Sequence, residues 1–442
     1  MNRSLIARIC LFSLPVACIC NAYFLYSEYP LLLLPALPLL VAVLVLASAF
    51  ERRIFSIRLR ILYHGACLLL ILLVSAILSV AAQLLLFFFV LERNWITLLW
   101  SALCCFGMEA VIFWSGIICV YLTSVQMGVR RRLLGVLCGF VPILNVVMLI
   151  KIISVSLGEV KTETQKHLLN EQRREARICA TKYPILLVHG VFFRDSRLFN
   201  YWGRIPGELK KNGARIFYGE HDSARPVAKS AEELADRIEW ILKKTGAEKL
   251  NVIAHSKGGL DVRYALAHLG VSPYVASVTT INTPHNGCVF ANRLLKKVPK
   301  KMADFVANTY DRIAEKAGDE DPSFMEAVQD LTDEACCERN KQMPLPEGVF
   351  CQSVGSRLKR GRAARFPLNL SYHIVKKYDG PNDGLVATSS FEWGEKYIFL
   401  EAKGRRGISH GDMVDINREN FRGFDVREFY VQLVNDLRQR GF

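Results

Sequence analysis

The sequence lacks a legible disulfide framework, although it contains thirteen cysteines. Eight of them lie within the first 158 residues, two are adjacent at Cys336 and Cys337, and the other three are scattered. Small secreted domains that depend on disulfides carry cysteines at regular spacings, so that class of protein is excluded. No cysteine lies in a turn beside a candidate base, which also argues against a nucleophilic cysteine.

Acidic residues are scarce relative to basic ones: 41 Asp and Glu against 56 Lys and Arg, for a formal net charge of +15. Such an excess is typical of proteins that meet an anionic membrane surface or a nucleic acid. The sequence has no basic motif interleaved with aromatic residues and no pattern of a recognition helix, so we expect no nucleic-acid partner. The bilayer is the expected partner.

Long apolar runs fill the first part of the chain. A helix that crosses a bilayer needs roughly 20 apolar residues. Five runs are that long or nearly so, at residues 5–26, 31–50, 66–90, 96–125 and 133–150. They predict a polytopic α-helical membrane domain over residues 1–158, with about five helices, or four and a re-entrant segment. A cleaved signal peptide would leave the last four runs unexplained. Glu109, inside the fourth run, is costly in a bilayer and predicts either a functional carboxyl or a protonated packing residue.

Arginine clusters predict how this domain is oriented. They lie at residues 52–60 and 130–132, after the second and fourth runs, whereas the loops after the first and third runs hold only Arg93. Basic loops stay in the cytoplasm, so the N-terminus is expected there, in an integral protein of the cell membrane. The fifth run contains Gly139 and Pro142, and it decides the side of the remaining chain. Its eighteen uncharged residues favour crossing, which would place the rest of the protein outside the cytoplasm.

The second part of the chain has the pattern of an α/β domain. Residues 159–182 are polar and predict a juxtamembrane helix or linker before a domain at 183–442. In that domain amphipathic helices, one opening with a predicted capping box at Ser230, alternate with strand-like runs at 185–188, 215–218, 250–253, 278–282 and 349–354. This rhythm predicts a mostly parallel sheet covered by helices on both faces. It stops at about 288–343, which predicts a helical cap or lid.

A turn of the type that exposes a nucleophile follows the third of these strands. Residues 254–258 read Ala-His-Ser-Lys-Gly and precede an amphipathic helix. Small residues let the backbone close around a strained serine, so Ser256 is the predicted nucleophile. The loop after the first strand offers the backbone N–H of Val191 to an oxyanion, and the N–H of Lys257 is the second predicted donor. We expect the Lys257 side chain in solvent or at the edge of the substrate.

The acid and the base must follow the serine in that order. Asp383 lies in the turn-rich stretch 380–386 and is the predicted acid, with Asp379 as its rival. His410 is the predicted base, because His373 precedes the acid and lies in a strand-like run. We expect His189 and His255, each beside a turn, to brace those loops. In this arrangement the histidine takes the serine proton and the aspartate orients the imidazole.

From about Tyr183 onward the chain resembles the bacterial triacylglycerol lipases of the Pseudomonas and Burkholderia type. The matching blocks, in chain order, are Val188–Gly190, Ala254–Leu260 with Arg263–Tyr264, Asn282–Gly287, Gly348–Phe350, Asn382–Val386 and His410–Asp412. The resemblance implies an α/β-hydrolase fold, the triad Ser256, Asp383 and His410, and hydrolysis of lipid or other carboxylic esters.

The resemblance also implies a candidate site for a structural calcium ion. In that family the residue two positions after the catalytic histidine binds calcium, and Asp412 holds that position here. No partner aspartate is found, and the stretch 357–365 is basic, so no cofactor or metal is predicted to be required. An acyltransferase with the same triad and a non-catalytic membrane scaffold with a hydrolase-like binding module are the alternatives. The sequence specifies no oligomeric state.

Overall fold

The computed structural model describes residues 3–48, 54–90, 95–139, 141, 143–191, 200–222, 224–297, 311–312, 315 and 322–442. The chain divides into two compact units, the N-terminal unit Met1–Glu171 and the C-terminal unit Gln172–Phe442.

Helices make up the regular structure of the N-terminal unit over its described residues. They are α1 (Arg3–Cys20), α2 (Tyr23–Glu28), α3 (Leu33–Leu46), α4 (Ile57–Val90), α5 (Trp95–Thr123), α6 (Gly128–Cys138) and α7 (Leu144–Gln172), with a 3-10 turn at Pro30–Leu32. Two stretches are long and apolar enough to cross a membrane, Ile57–Phe88 and Trp95–Thr123, and two shorter apolar helices occupy Leu5–Cys20 and Pro30–Leu46.

Small residues set the packing of α4 against α5. A Cβ atom placed on Gly65 of α4 would lie 2.7 Å from the Cβ of Cys119 and 2.8 Å from the carbonyl oxygen of Gly116. A Cβ on Gly116 would in turn lie 2.9 Å from Leu69. Only glycine allows two helix backbones to approach this closely.

The fifth apolar run, at residues 133–150, is divided between two helices. Helix α6 ends at Cys138 and α7 begins at Leu144. Proline has no N–H donor and disfavours helix in the residue before it, and the sequence has Pro142 in this interval. Helix α7 then continues to Gln172, so it includes the first half of the polar stretch 159–182.

Glu159 on α7 is a buried anchor inside the N-terminal unit. Its side chain is 1% exposed and pairs with Arg58 at 2.6 Å. The carboxylate also accepts hydrogen bonds from the Ser124 hydroxyl at 2.7 Å and from the backbone N–H groups of Val125 and Gln126. Four donors satisfy the buried charge, so it ties α7 to α4 and to the turn after α5.

We therefore expect Glu159→Ala to destabilise the N-terminal unit by roughly 3 kcal/mol, because buried donors lose their charged acceptor. Thermal unfolding of the full chain in detergent measures the effect. Gln165→Ala, at an exposed position of the same helix, is the control and should unfold like the wild type. Equal unfolding temperatures for Glu159→Ala and this control would contradict the anchoring role.

The C-terminal unit is built on a six-stranded parallel sheet. Its strands are β1 (Ile185–Val188), β2 (Ile216–Tyr218), β3 (Leu250–His255), β4 (Val275–Ile281), β5 (Phe350–Ser356) and β6 (Lys396–Leu400), in the spatial order β2-β1-β3-β4-β5-β6. Strand β6 had no counterpart among the predicted strands. Its helices are α8 (Ile205–Lys211), α9 (Val227–Thr245), α10 (Lys257–His268), α11 (Val289–Lys297), α12 (Phe324–Gln329), α13 (Asp333–Gln342), α14 (Leu368–Tyr378) and α15 (Val426–Gln439). Short 3-10 turns occupy Ser272–Tyr274, Gly361–Ala363, Thr388–Ser390 and His410–Val414.

Alternate residues of each strand enter separate cores on the two faces of the sheet. Ile185 and Leu187 pack in one core with Trp202 of the loop before α8. Leu186 packs in the other core, with Ile238 of α9. Helices therefore cover both faces, as the alternating pattern predicted.

The structure differs from two local predictions for this unit and does not describe most of a third. The run 370–375, which contains His373, belongs to helix α14 rather than to a strand, because Tyr372 and Val375 are buried at helical spacing. Ser230 lies inside α9, whose N-cap is Pro226, so it does not open the helix. Most of the apolar positions expected to form the cap, residues 298–310, lie outside the described residues.

Candidate active site

Ser256 occupies the corner between β3 and α10. Its backbone has φ 56° and ψ −132°, outside the regions that residues with a side chain prefer, and its N–H donates to the carbonyl of Ile281 at 3.0 Å. Conformations of this kind cost roughly 1 to 3 kcal/mol and persist where the surroundings enforce them. Helix α10 begins at the next residue, so the serine side chain is held at the end of the sheet.

Two glycines make this corner possible. A Cβ atom on Gly190 would lie 2.7 Å from the Cβ of Ser256, and one on Gly258 would lie 2.3 Å from the carbonyl oxygen of His189. The second distance is to backbone, which cannot rotate away as a side chain can. Ala254, which stands where such turns usually carry a first glycine, is a fully buried residue of β3. The structure therefore requires glycine at positions 190 and 258 and accommodates a methyl group at position 254.

Asp383 and His410 are in direct contact. The Nδ1 atom of His410 lies 2.6 Å from Oδ2 of Asp383, and the His410 backbone N–H donates to the Asp383 carbonyl at 2.9 Å. Both residues lie on loops beyond the carboxyl ends of the sheet strands, Asp383 after β5 and His410 after β6. Parallel strands present these loops at the same edge, where Ser256 also lies.

Asp383 is fully buried, and its charge is satisfied by named donors. The N–H groups of Leu385 and Val386 donate to Oδ1 at 2.9 and 2.8 Å, and the Asn282 amide donates to Oδ2 at 2.6 Å. Asn282 has a positive φ of 48° at the end of β4 and also donates to Ser356. No local pattern predicts this role for Asn282, because its partners are distant in the chain.

The two rival residues lie elsewhere. Both carboxylate oxygens of Asp379 accept backbone N–H groups, from Val289 and Phe290 at the start of α11. A carboxylate in that position satisfies the unpaired N–H groups of a helix N-terminus. Burial raises the pKa of Asp379 above its usual value. His373 lies on α14, where its ring contacts Tyr372 edge to face.

His255 lies directly behind His410. The two ring centroids are 4.4 Å apart, and Nδ1 of His255 is 2.6 Å from the Tyr201 hydroxyl. Burial, reinforced by His410, lowers the pKa of His255 well below its usual range, so the ring is neutral at physiological pH. A neutral packed ring can support the His410 imidazole but is not placed to act as a second base. Tyr201, which orients that ring, was not singled out from the sequence.

The residues around Asp412 do not fit a calcium ion. The Asp412 carboxylate accepts the Ser409 N–H at 2.8 Å on one oxygen and Arg406 at 3.0 Å on the other. The Arg406 guanidinium also lies 3.7 Å above the ring of Phe421. Calcium needs six to eight oxygen ligands, and no group of three acidic, His or Cys residues suited to a metal occurs within the described part of the chain. Asp412 instead fastens the turn that carries His410.

The structure describes both residues that are predicted to donate to the oxyanion, Val191 and Lys257. Val191 follows the end of β1, and it is 7% exposed. Lys257 is the first residue of α10, where a backbone N–H has no partner within the helix. The expectation of a solvated Lys257 side chain is wrong: it is 1% exposed, and Nζ lies 2.8 Å from both Asp261 and Ser230. Spacing of four residues along a helix brings Lys257 and Asp261 together.

Part of the chain is similar in sequence to known hydrolases. Residues 183–348 match the family described as alpha/beta hydrolase fold. A triacylglycerol lipase of Vibrio cholerae is 28% identical over 279 residues, which cover 57% of this chain and 86% of the relative. A triacylglycerol lipase of Burkholderia plantarii is 34% identical over 179 residues, so this chain spans only 49% of its length and 37% of this chain is matched. The solved structure of Bacillus licheniformis lipase BlEst2 is 20% identical with a TM-score of 0.43, covering 57% of this chain and 92% of that one.

The glycine contacts at Ser256 lead to a prediction about stability and activity together. Gly258→Ala should destabilise the protein by roughly 1 to 3 kcal/mol, because the new methyl group meets the backbone of His189. It should also lower ester hydrolysis, since the displaced strand end carries the loop of Val191. Thermal unfolding and the rate of hydrolysis of a chromogenic ester measure the two effects.

Gly207→Ala is the matched control. Gly207 lies within α8, and a Cβ atom there meets nothing within 4 Å. Alanine favours helix over glycine by up to about 1 kcal/mol, so this variant should be as stable as the wild type or more so, with unchanged activity. Similar behaviour of the two glycine variants would refute the argument from close approach.

Proposed function

We propose that this protein is a membrane-anchored serine hydrolase that cleaves lipid or other carboxylic esters through an acyl-enzyme. The α/β-hydrolase match and the triacylglycerol lipase relatives support an ester hydrolase of the lipase and esterase class. The contact of 2.6 Å between Asp383 and His410, at the sheet edge that carries the strained Ser256, is the observation that carries the serine mechanism.

The geometry supports the following steps. With Nδ1 of His410 directed at the Asp383 carboxylate, Nε2 is left to accept the proton of the Ser256 hydroxyl. The serine oxygen attacks the ester carbonyl, and the N–H groups of Val191 and Lys257 bind the oxyanion that forms. The imidazolium then protonates the departing alcohol, and water, activated by the same histidine, releases the acid. Asp383 supports the imidazolium throughout, and its backbone donors keep it in place.

The N-terminal unit supplies the proposed anchor. Two helices could cross a bilayer, and with the two shorter apolar helices the number of crossings would be four. Either number returns the chain to the side on which it started. The arginines at 52–60 and 130–132 flank the two long helices on that same side, which the positive-inside rule assigns to the cytoplasm. The expectation of an outward-facing hydrolase depended on the fifth run crossing the membrane. Because that run is divided between two helices and is not among the candidate spans of the described residues, we propose the cytoplasmic side instead.

An active-site-directed fluorophosphonate tests the proposed mechanism. The wild type should be labelled and should hydrolyse short-chain esters, and Ser256→Ala should lose both properties, because the probe forms its covalent bond with an activated serine. Asp383→Asn should be labelled more slowly and should lose about four orders of magnitude in kcat. Ser272→Ala, a serine at the far end of the sheet, is the control and should behave as the wild type. Equal labelling of Ser256→Ala and the wild type would refute Ser256 as the nucleophile.

Protease protection tests the side of the membrane. In sealed vesicles with the cytoplasmic face inward, added protease should leave the C-terminal unit intact, and permeabilisation should expose it to digestion. Digestion before permeabilisation would place the hydrolase outside and would contradict an even number of crossings. A tagged periplasmic or extracellular protein and a tagged cytoplasmic protein serve as controls for vesicle integrity.

A further inference from the structure

A network of buried polar side chains lies near the corner that holds Ser256. It begins at Lys257, whose Nζ atom lies 2.8 Å from Oδ1 of Asp261. The other oxygen of Asp261 is 3.8 Å from Nε2 of His221, and the Asp261 and His221 side chains are each 1% exposed. The proposed catalytic steps use none of these side chains, yet burying charged groups is costly unless something compensates for it.

The network of side chains continues from His221 to the peptide of Val191, the first proposed oxyanion donor. The rings of His221 and His189 stack with centroids 4.0 Å apart and planes inclined by 7°. Nδ1 of His189 lies 3.0 Å from the carbonyl oxygen of Gly190, and Nε2 lies 3.1 Å from that of His221. The carbonyl of Gly190 and the N–H of Val191 belong to one planar peptide group. In the tautomer whose Nδ1–H donates to this carbonyl, His189 therefore also fixes the direction of the Val191 N–H.

The other end of this network is Lys257, the second proposed donor residue. Lys257 contributes its backbone N–H at the start of α10, while its side chain reaches Asp261 one turn later and the hydroxyl of Ser230 on α9 at 2.8 Å. Its side chain thus ties the first turn of α10 to a neighbouring helix. Lys257, Asp261, His221 and His189 therefore connect the peptide of Val191 to Lys257, which supplies the other donor.

We propose that Lys257, Asp261, His221 and His189 are positioning residues that hold the two backbone N–H donors of the oxyanion hole in place. This inference rests on the proposed esterase function. None of the four side chains touches the reacting atoms in this arrangement; they act through the peptide of Val191 and the first turn of α10. A small displacement of catalytic donors costs much more in rate than in stability, which gives the buried network a reason to exist.

The electrostatics of Asp261 allow the ion pair to be removed by substitution without leaving an unpaired buried charge. Burial raises the pKa of Asp261 to about 7, and the ammonium group of Lys257 opposes this rise. When Lys257 is replaced by methionine, the carboxyl can hold a proton instead of remaining as a buried unpaired charge. Lys257→Met therefore removes the ion pair while keeping the volume of the side chain, and Asp261→Asn removes it from the other end.

The test compares catalysis with binding of a transition-state analogue by the full chain in detergent micelles. A trifluoromethyl ketone forms a tetrahedral adduct with the serine and places an oxyanion in the hole. In Lys257→Met and Asp261→Asn, we expect kcat and affinity for this ketone to fall in parallel by roughly 10- to 100-fold. KM for a short-chain ester should stay within about twofold of the wild-type value, because ground-state binding does not use the oxyanion donors.

Arg173→Met is the control for a merely structural effect. It removes an ion pair of 2.8 Å with Glu428, within the same unit and away from the serine corner. It should lower the unfolding temperature without changing kcat or ketone affinity. If either network variant fails to fold, Ser230→Ala removes only the hydroxyl partner of Lys257 and should lower the same two constants by a smaller factor.

Unchanged kcat and unchanged ketone affinity in folded network variants would overturn the positioning role. A loss of rate that comes with a matching rise in KM and no change in ketone affinity would also overturn it, because that pattern means lost substrate binding. These results differ from failure of the proposed function, in which the wild type itself would neither react with a fluorophosphonate nor hydrolyse esters.

Discussion

The close approach of two backbones, at the end of β1 and in the first turn of α10, is the constraint on which the site depends. Gly258 leaves no room for even one methyl group before the carbonyl of His189. Because the paired ends of β1 and β3 lie side by side, this contact brings the loop of Val191 next to the corner of Ser256. The strained serine and both proposed oxyanion donors follow from that single approach.

Buried charge is handled in two ways at this sheet edge. Asp383 is surrounded by fixed donors, two from its own turn and one from Asn282, so its orientation is independent of any ligand. Lys257 and Asp261 neutralise one another inside the protein and connect to stacked histidines. In both cases protein atoms satisfy the buried group, which stiffens the surrounding backbone. Asp412 follows the same principle, since Arg406 pairs with it where a metal ion would otherwise be considered.

The N-terminal unit depends on different forces. Glycines allow α4 and α5 to approach closely, and the Glu159 carboxylate accepts hydrogen bonds from four donors, three of them in the turn after α5. Glu109 lies within α5, and one of its carboxylate oxygens is buried and makes no hydrogen bond. The fifth apolar run is divided between α6 and α7, and the proposed cytoplasmic side of the hydrolase rests on that break.

The roles of Asp383 and His410 as acid and base stay predictions. The sequence by itself predicted the features that depend on neighbouring residues: the alternation of five strands with helices, and the turn at Ser256. These follow from local periodicity and turn chemistry, which a single sequence displays. Tertiary structure decided what depends on distant partners. It paired Asp383 rather than Asp379 with His410, made residues 368–378 a helix, added β6, and buried Lys257 against Asp261. The spacing of Lys257 and Asp261 is local, but their burial, the pairing of β6 with β5 and the contact of Asp383 with His410 depend on segments far away in the chain.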